Sequence, residues 1–193
     1  MIKLSILKNK KFLSSFIILT LFFTSCITYR NFPVEKIGQI PEKKAKPSKT
    51  LFYNIKGHTM FSGEKELLKV FQEKSPFITT ERADKKTERG LFVEVNIRKI
   101  APHTGAAILG YASASFLGFI PFWSTDDGYN LQYVIYKNGK RKKSFEYKIH
   151  RNSFFWVFMI PLAWVNAFTY SETDAFEATT YQFFEEADSI LHY

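Results

Sequence analysis

Two long runs without a charged residue, 104–123 and 153–169, constrain what this chain can fold into. Each contains a similar apolar element around a proline, Phe119-Ile120-Pro121-Phe122 in the first run and Met159-Ile160-Pro161-Leu162 in the second. Runs of this length are compatible with membrane spans, with a surface that dips into a bilayer, or with a buried core. All three interpretations are open at the level of the sequence.

The segments around these runs favour a β-sheet. Apolar and polar residues alternate from Leu91 to Ile100, as in a strand with one wet face. Two more strands are predicted at 131–137 and 143–149, and the Asn138-Gly139 pair between them is typical of a hairpin turn. A single membrane crossing between paired strands would separate them across the bilayer. In an antiparallel sheet, both apolar runs begin at the same end, opposite the hairpin turn.

The strands and helices predicted for the rest of the chain indicate its fold class. A strand at 51–55, a helix at 64–74, a short strand at 77–80 and a final helix after Ser171 complete the body. Asp174 follows Ser171 at the spacing of a capping box. We therefore expect an α+β, two-layer domain over 51–193, with a mainly antiparallel sheet of about four or five strands and two helices on one face. The two apolar segments extend from one end of that sheet.

At that end, the aromatic and aliphatic side chains of both runs together predict a surface for contact with a membrane or an envelope protein partner. The residues expected to form it are Phe119, Ile120, Phe122, Trp123, Phe155, Trp156, Phe158, Ile160 and Trp164. Tryptophan suits this position because its ring is stable at the level of lipid headgroups.

The N-terminus has the three parts of an export signal. Lysines precede an apolar stretch at 12–23, and Thr24-Ser25 leads into Cys26, the only cysteine in the chain. This segment resembles the lipobox-ended signal peptide of bacterial lipoproteins, although Phe23 occupies a position where that family usually has an aliphatic residue. The resemblance implies removal of 1–25 and lipidation of Cys26, with palmitate or similar acyl chains. An ordinary cleaved signal or an uncleaved anchor is the alternative.

After the cysteine, 26–50 is rich in proline and lysine and is interpreted as a tether between the lipid and the body. Ile27 stands where an Asp would resemble an inner-membrane retention signal, so the resemblance implies the outer membrane, on its periplasmic or surface face. The body is similar to small envelope lipoproteins of unknown role. At the level of fold, it is also similar to the lipoprotein subunits of outer-membrane assembly and secretion machines.

Charge and residue composition argue against nucleic-acid binding, metal binding and catalysis. The net charge is +9, and four of the lysines belong to the leader, which leaves the mature chain at about +5. No nucleic-acid motif is present, and we expect no nucleic-acid partner. The four histidines, at positions 58, 103, 150 and 192, lack metal-ligand spacing. We therefore expect no metal, no cofactor and no catalytic residue.

The sequence thus predicts a non-catalytic, lipid-anchored protein of the cell envelope that binds a membrane or a partner. Two alternatives stay open. One is a hydrolase that acts on lipid or cell wall through a polar cleft formed by His103, Asp126, Asp127 and His150. The other is an integral membrane protein that uses the two apolar segments as spans.

Overall fold

The structure, a computed structural model, describes residues 26–41, 50–60 and 62–191, and describes 159–163 by their backbone alone. The predicted leader, 1–25, and the lysine-rich 42–49 lie outside the described residues. The elements in chain order are β1 (Cys26–Arg30), a 3-10 turn (Val34–Lys36), β2 (Leu51–Lys56), α1 (Gly63–Glu73), β3 (Thr80–Arg82), β4 (Leu91–Ile100), α2 (Thr104–Ser115), β5 (Phe122–Lys137), β6 (Lys140–Phe155), a 3-10 helix (Val157–Phe168), α3 (Glu172–Glu186) and α4 (Asp188–Leu191).

The fold is α+β, as predicted, but the sheet differs from the expected one. It is mixed rather than mainly antiparallel, and it has six strands in the order β1-β6-β5-β4-β2-β3. β2 is parallel to both β3 and β4. The reason is that α1 carries the chain back across the sheet after β2, and a strand that follows such a crossover pairs in parallel.

The sixth strand lies in the segment that the sequence interpretation assigned to the tether. Cys26–Arg30 forms β1, which pairs antiparallel with the last third of β6. Tyr29 is 3% exposed, and Ile27 packs against the core beside it. The sheet therefore includes residues 26–30, which lie outside the expected domain of 51–193.

The core lies between one face of the sheet and two helices, α1 and α3. Alternate residues of the central strands, such as Val93, Leu131 and Tyr133, point into it. Tyr133 stacks on Phe183 of α3, with ring centroids 4.3 Å apart. Such aromatic pairs add stability beyond the apolar area that they bury.

Several local predictions are confirmed. β4 has the predicted bounds, and the β5–β6 turn has positive φ at Asn138 and Gly139. Ser171 and Asp174 form the predicted capping box at the start of α3. β5 and β6 are 16 residues each, however, so both extend beyond the predicted 131–137 and 143–149 as far as the edges of the apolar runs.

Candidate functional site

The apolar runs meet at one end of the sheet, as the strand directions required. β4 ends at Ile100, which pairs with Gly128, while β5 begins six residues earlier at Phe122. The first residues of β5 and the last residues of β6 therefore project beyond β4, with Phe122 paired to Phe155. α2 and the 3-10 helix are attached to this projecting part of the sheet.

Direct contacts join the two runs. The Val157 N–H donates to the Gly118 carbonyl at 3.0 Å, and the Trp156 indole N–H donates to the Phe119 carbonyl at 3.2 Å. The Phe119 and Phe158 rings meet edge to face at 5.8 Å. These bonds hold the two segments as one surface.

Most large side chains of that surface face solvent. We define the apolar end as nine residues that are each more than half exposed: Ile108, Tyr111, Phe116, Leu117, Phe119, Trp123, Phe158, Trp164 and Phe168. Leu117 and Phe168 are the most exposed, at 80% each. The interpretation of both runs as buried core does not hold for these side chains. Isolated exposed apolar side chains are ordinary, but nine large ones concentrated on two connected segments are typical of a binding surface.

The predicted contact residues divide into three groups. Phe119, Trp123, Phe158 and Trp164 belong to the apolar end. Ile120, Phe122, Phe155 and Trp156 are half-buried beneath it, and the side chain of Ile160 lies outside what is described. Five members of the apolar end were not predicted. They lie on α2, in the turn that follows it and at the end of the 3-10 helix.

α2 explains why they were missed. The helix is apolar on nearly all sides, and only Ala106 and Ser113 among its residues are buried. A helix with an apolar face all round has no period that separates a buried side from an exposed one. The absence of charge was the only signal in the sequence, and it did not show which residues face outward.

Cys26 lies at the same end of the sheet. It is half-buried and free, and it opens β1 opposite Phe154. Phe154 in turn pairs with Trp123 on β5. Cys26, Phe154 and Trp123 thus form one cross-strand row, and β1 runs from this row toward the opposite end of the sheet.

The outer edge of β1 is covered rather than open. The Ile27 N–H donates to Asn166 Oδ1 at 3.2 Å, and the Tyr29 N–H donates to the Tyr170 carbonyl at 3.2 Å. Thr169 Oγ1 donates to the Ile27 carbonyl at 3.0 Å. The end of the second apolar run therefore holds the strand that carries Cys26.

A buried carboxylate fixes the other end of β1. Glu172, at the start of α3, accepts hydrogen bonds at 2.9 Å from the hydroxyls of Tyr29 and Tyr129. Its second oxygen accepts from the Gly63 N–H at 2.8 Å. Burial, and then the adjacent Glu172 carboxylate, raise the pKa of Tyr29 far above its ordinary value. The cluster joins β1, β5, α1 and α3.

Three of the four residues of the hydrolase alternative have structural partners of their own, and the fourth, His150, pairs with Gly128 in the sheet. Asp127 is 1% exposed and pairs with Arg151 on the neighbouring strand, while the exposed Asp126 lies 3.9 Å from Arg30. His103 accepts the Ala106 N–H as the cap of α2. Among the described residues, no group of three His, Cys, Asp or Glu side chains has an arrangement that could hold a metal ion. Within the same residues, no helix is both long enough and apolar enough to cross a membrane.

No protein-family model matches the chain, and no curated protein or solved structure matches it either. The geometry of the described residues is therefore the basis on which a function can be proposed.

Proposed function

We propose that the chain is a non-catalytic, lipid-anchored envelope protein whose apolar end inserts into the membrane surface beside a lipidated Cys26. The observation that carries the proposal is the cross-strand row of Cys26, Phe154 and Trp123. Acyl chains on Cys26 would enter a bilayer at the place where the apolar side chains are already exposed. Both attachments then act on one face of one rigid body.

The energetics favour the combined attachment. Full burial of a large apolar side chain contributes about 1.5–3 kcal/mol, so five of the nine side chains at about 60% exposure would contribute about 5–9 kcal/mol. Two or more acyl chains on Cys26 would already anchor the chain stably. The apolar end would add a second attachment that holds the body against the bilayer, without a membrane-spanning segment.

This arrangement changes the expected role of 26–50. A tether between the lipid and the body would let the domain hang free of the membrane. Because β1 begins at Cys26 and pairs with β6, the acyl chains would attach directly to the sheet. On this proposal, the body lies against the bilayer.

The test uses the full chain, expressed in a bacterium that processes lipoproteins, with and without Leu117→Glu and Phe168→Glu. Both side chains are 80% exposed, so the substitutions leave the core intact. To avoid retention by an uncleaved leader, Cys26→Ala is expressed with residues 1–25 replaced by an export signal whose cleavage does not require a cysteine. We expect this chain to remain partly membrane-bound after high-salt washing, and the same chain with both glutamates to become soluble. Each glutamate should weaken membrane partition at least tenfold, which corresponds to about 1.4 kcal/mol.

Ile40→Glu and Ile78→Glu serve as matched controls. Both side chains are more than half exposed, and both lie away from the apolar end. If these substitutions release the chain as effectively as those at the apolar end, or if the triple variant stays membrane-bound, the proposed insertion is wrong. Retention that depends on one envelope protein, and not on lipid, would assign the apolar end to that protein. Unchanged mobility of Cys26→Ala and of globomycin-treated chain would refute lipidation.

A further inference from the structure

We propose that the end of the sheet opposite the apolar end binds an anionic glycan polymer, one that carries carboxylate, phosphate or sulfate groups. We call this surface the basic tip. Its cations are Lys85, Lys86, Arg89, Lys137, Lys140, Arg141, Lys142 and Lys143. The proposal goes beyond membrane attachment and does not depend on it.

The fold fixes the two charged segments of the basic tip side by side. The Asn138 N–H in the β5–β6 turn donates to the Gly90 carbonyl at 2.9 Å, and the Gly90 N–H donates to Asn138 Oδ1 at 3.0 Å. These reciprocal bonds join the hairpin to the end of the 83–90 loop. The loop cations and the hairpin cations therefore belong to one surface.

A β-bulge contributes to the density of charge. Ile135 pairs with Lys143, and Tyr136 pairs with Arg141, so Lys142 is an extra residue on β6. A regular strand would direct alternate side chains to opposite faces, whereas a bulge interrupts that alternation. All four consecutive cations at 140–143 are exposed.

Charge is strongly segregated over the molecule. The basic tip has eight cations, and the carboxylates nearby are those of Asp84, Glu88 and Asp188, which leaves a surplus of about five positive charges. The rest of the described chain has eleven cations and fourteen carboxylates. A surface that is only solvated does not require positive charge to be concentrated at one end of the molecule, whereas a binding site for a polyanion does.

The shape of the basic tip favours a flexible polyelectrolyte. A cleft of about 490 Å³ lies between the hairpin and α4, and its lining includes Lys137, Lys140 and Lys142. Six of the eight cations are lysines, which act as point charges without the fixed fork of arginine. None of the exposed large apolar side chains of the described residues lies on the basic tip. The half-buried Tyr136 ring at the basic tip is covered by Lys86, whose Nζ lies 5.1 Å from the ring centroid. Among the described residues, the basic tip therefore offers no open aromatic platform for nucleic-acid bases and no exposed apolar anchor for a protein interface.

The test measures binding of the full chain, in non-ionic detergent, to polygalacturonate, with uncharged dextran as the blank. We expect binding at 50 mM salt that weakens steeply as salt rises. The triple variant Lys140→Gln, Arg141→Gln, Lys142→Gln should bind at least tenfold more weakly and with a smaller salt dependence. The matched control Lys65→Gln, Lys69→Gln, Lys99→Gln removes the same charge from exposed sites elsewhere and should bind like the wild type.

Three results would overturn the proposal: no binding to polygalacturonate, equal loss in the two triple variants, or tighter binding to duplex DNA or to phosphatidylglycerol vesicles than to the glycan. Membrane retention of the basic-tip variant serves as an independent readout. It should equal that of the wild type, because Lys140, Arg141 and Lys142 lie away from the apolar end. A negative result for polygalacturonate binding would therefore not affect the proposed membrane attachment. A negative result for membrane retention would likewise not affect the proposed glycan binding.

Discussion

Replacement of Tyr29 by Phe removes one hydroxyl from the buried contact between β1 and α3. Tyr29 donates to Glu172 Oε2, which also accepts from Tyr129. Hydrogen bonds to charged groups contribute about 1.5–3 kcal/mol. Since Tyr29 is 3% exposed, water does not replace the lost bond, and we expect Tyr29→Phe to lower the free energy of unfolding by about 2 kcal/mol.

Glu172→Leu should cost more, because it leaves three buried donors without an acceptor. These are the hydroxyls of Tyr29 and Tyr129 and the N–H of Gly63. We expect a loss of about 3–5 kcal/mol, because each buried donor that is left unsatisfied costs about 1–3 kcal/mol. In a Glu172→Gln background, Tyr29→Phe should cost only about 1 kcal/mol, since the bond is then between neutral groups.

Urea denaturation of the full chain in non-ionic detergent, followed by far-ultraviolet circular dichroism, measures these differences. Tyr147→Phe is the matched control, because its hydroxyl donates to Glu186 at the same 2.9 Å but at an exposed position. The control should lose less than about 1 kcal/mol. Additivity of Tyr29→Phe and Glu172→Gln within about 0.5 kcal/mol would refute the reasoning, since contacting groups must couple.

Two further predictions concern backbone space and pH. Gly128 has φ +145°, and a Cβ there would lie 2.1 Å from the Ile149 carbonyl oxygen, so Gly128→Ala should destabilise the fold by about 2–4 kcal/mol in the same urea denaturation. Gly38→Ala, with φ +72° in open space, should cost only about 1–2 kcal/mol. Burial raises the pKa of Tyr133 above its ordinary 10.0, as it does for Tyr29, so these tyrosines keep their protons in the folded state while the unfolded chain ionises. Stability that is present below pH 10 is therefore lost as pH rises, at up to about 1.4 kcal/mol per pH unit for each such tyrosine. Tyr133→Phe should reduce the slope of the unfolding free energy against pH by up to this amount. An unchanged slope would contradict the raised pKa of Tyr133.

The sequence predicted correctly those features of the fold that depend on residues close together in the chain. The alternation of Leu91–Ile100, the turn at Asn138-Gly139 and the capping box at Ser171 each involve neighbours in sequence, and each is confirmed. The parallel pairing of β2 was missed because α1 separates it from both partners. Nothing within a strand as short as β2 indicates the direction of its neighbours.

β1 was missed for a related reason. The five residues of β1, between the predicted leader and Pro33, have no strong pattern of their own, and their partners lie at 150–154. The Glu172 cluster is equally distant, because Tyr29 and Glu172 are 143 positions apart. The location of the apolar end followed from strand direction, whereas its exposed members depended on how α2 and the 3-10 helix pack.

On the proposed function, the pairing of β1 with β6 also sets an order of events during synthesis and export. An exported chain that emerges N-terminus first would present Cys26 long before its partner Phe154 had crossed the membrane. Closure of so long a loop is a late step in folding. On the proposed function, the modifying enzymes act on Cys26 while this segment is still an unpaired strand. The arrival of β6 then draws the acylated residue into the sheet, so completion of the fold brings the body down onto the bilayer.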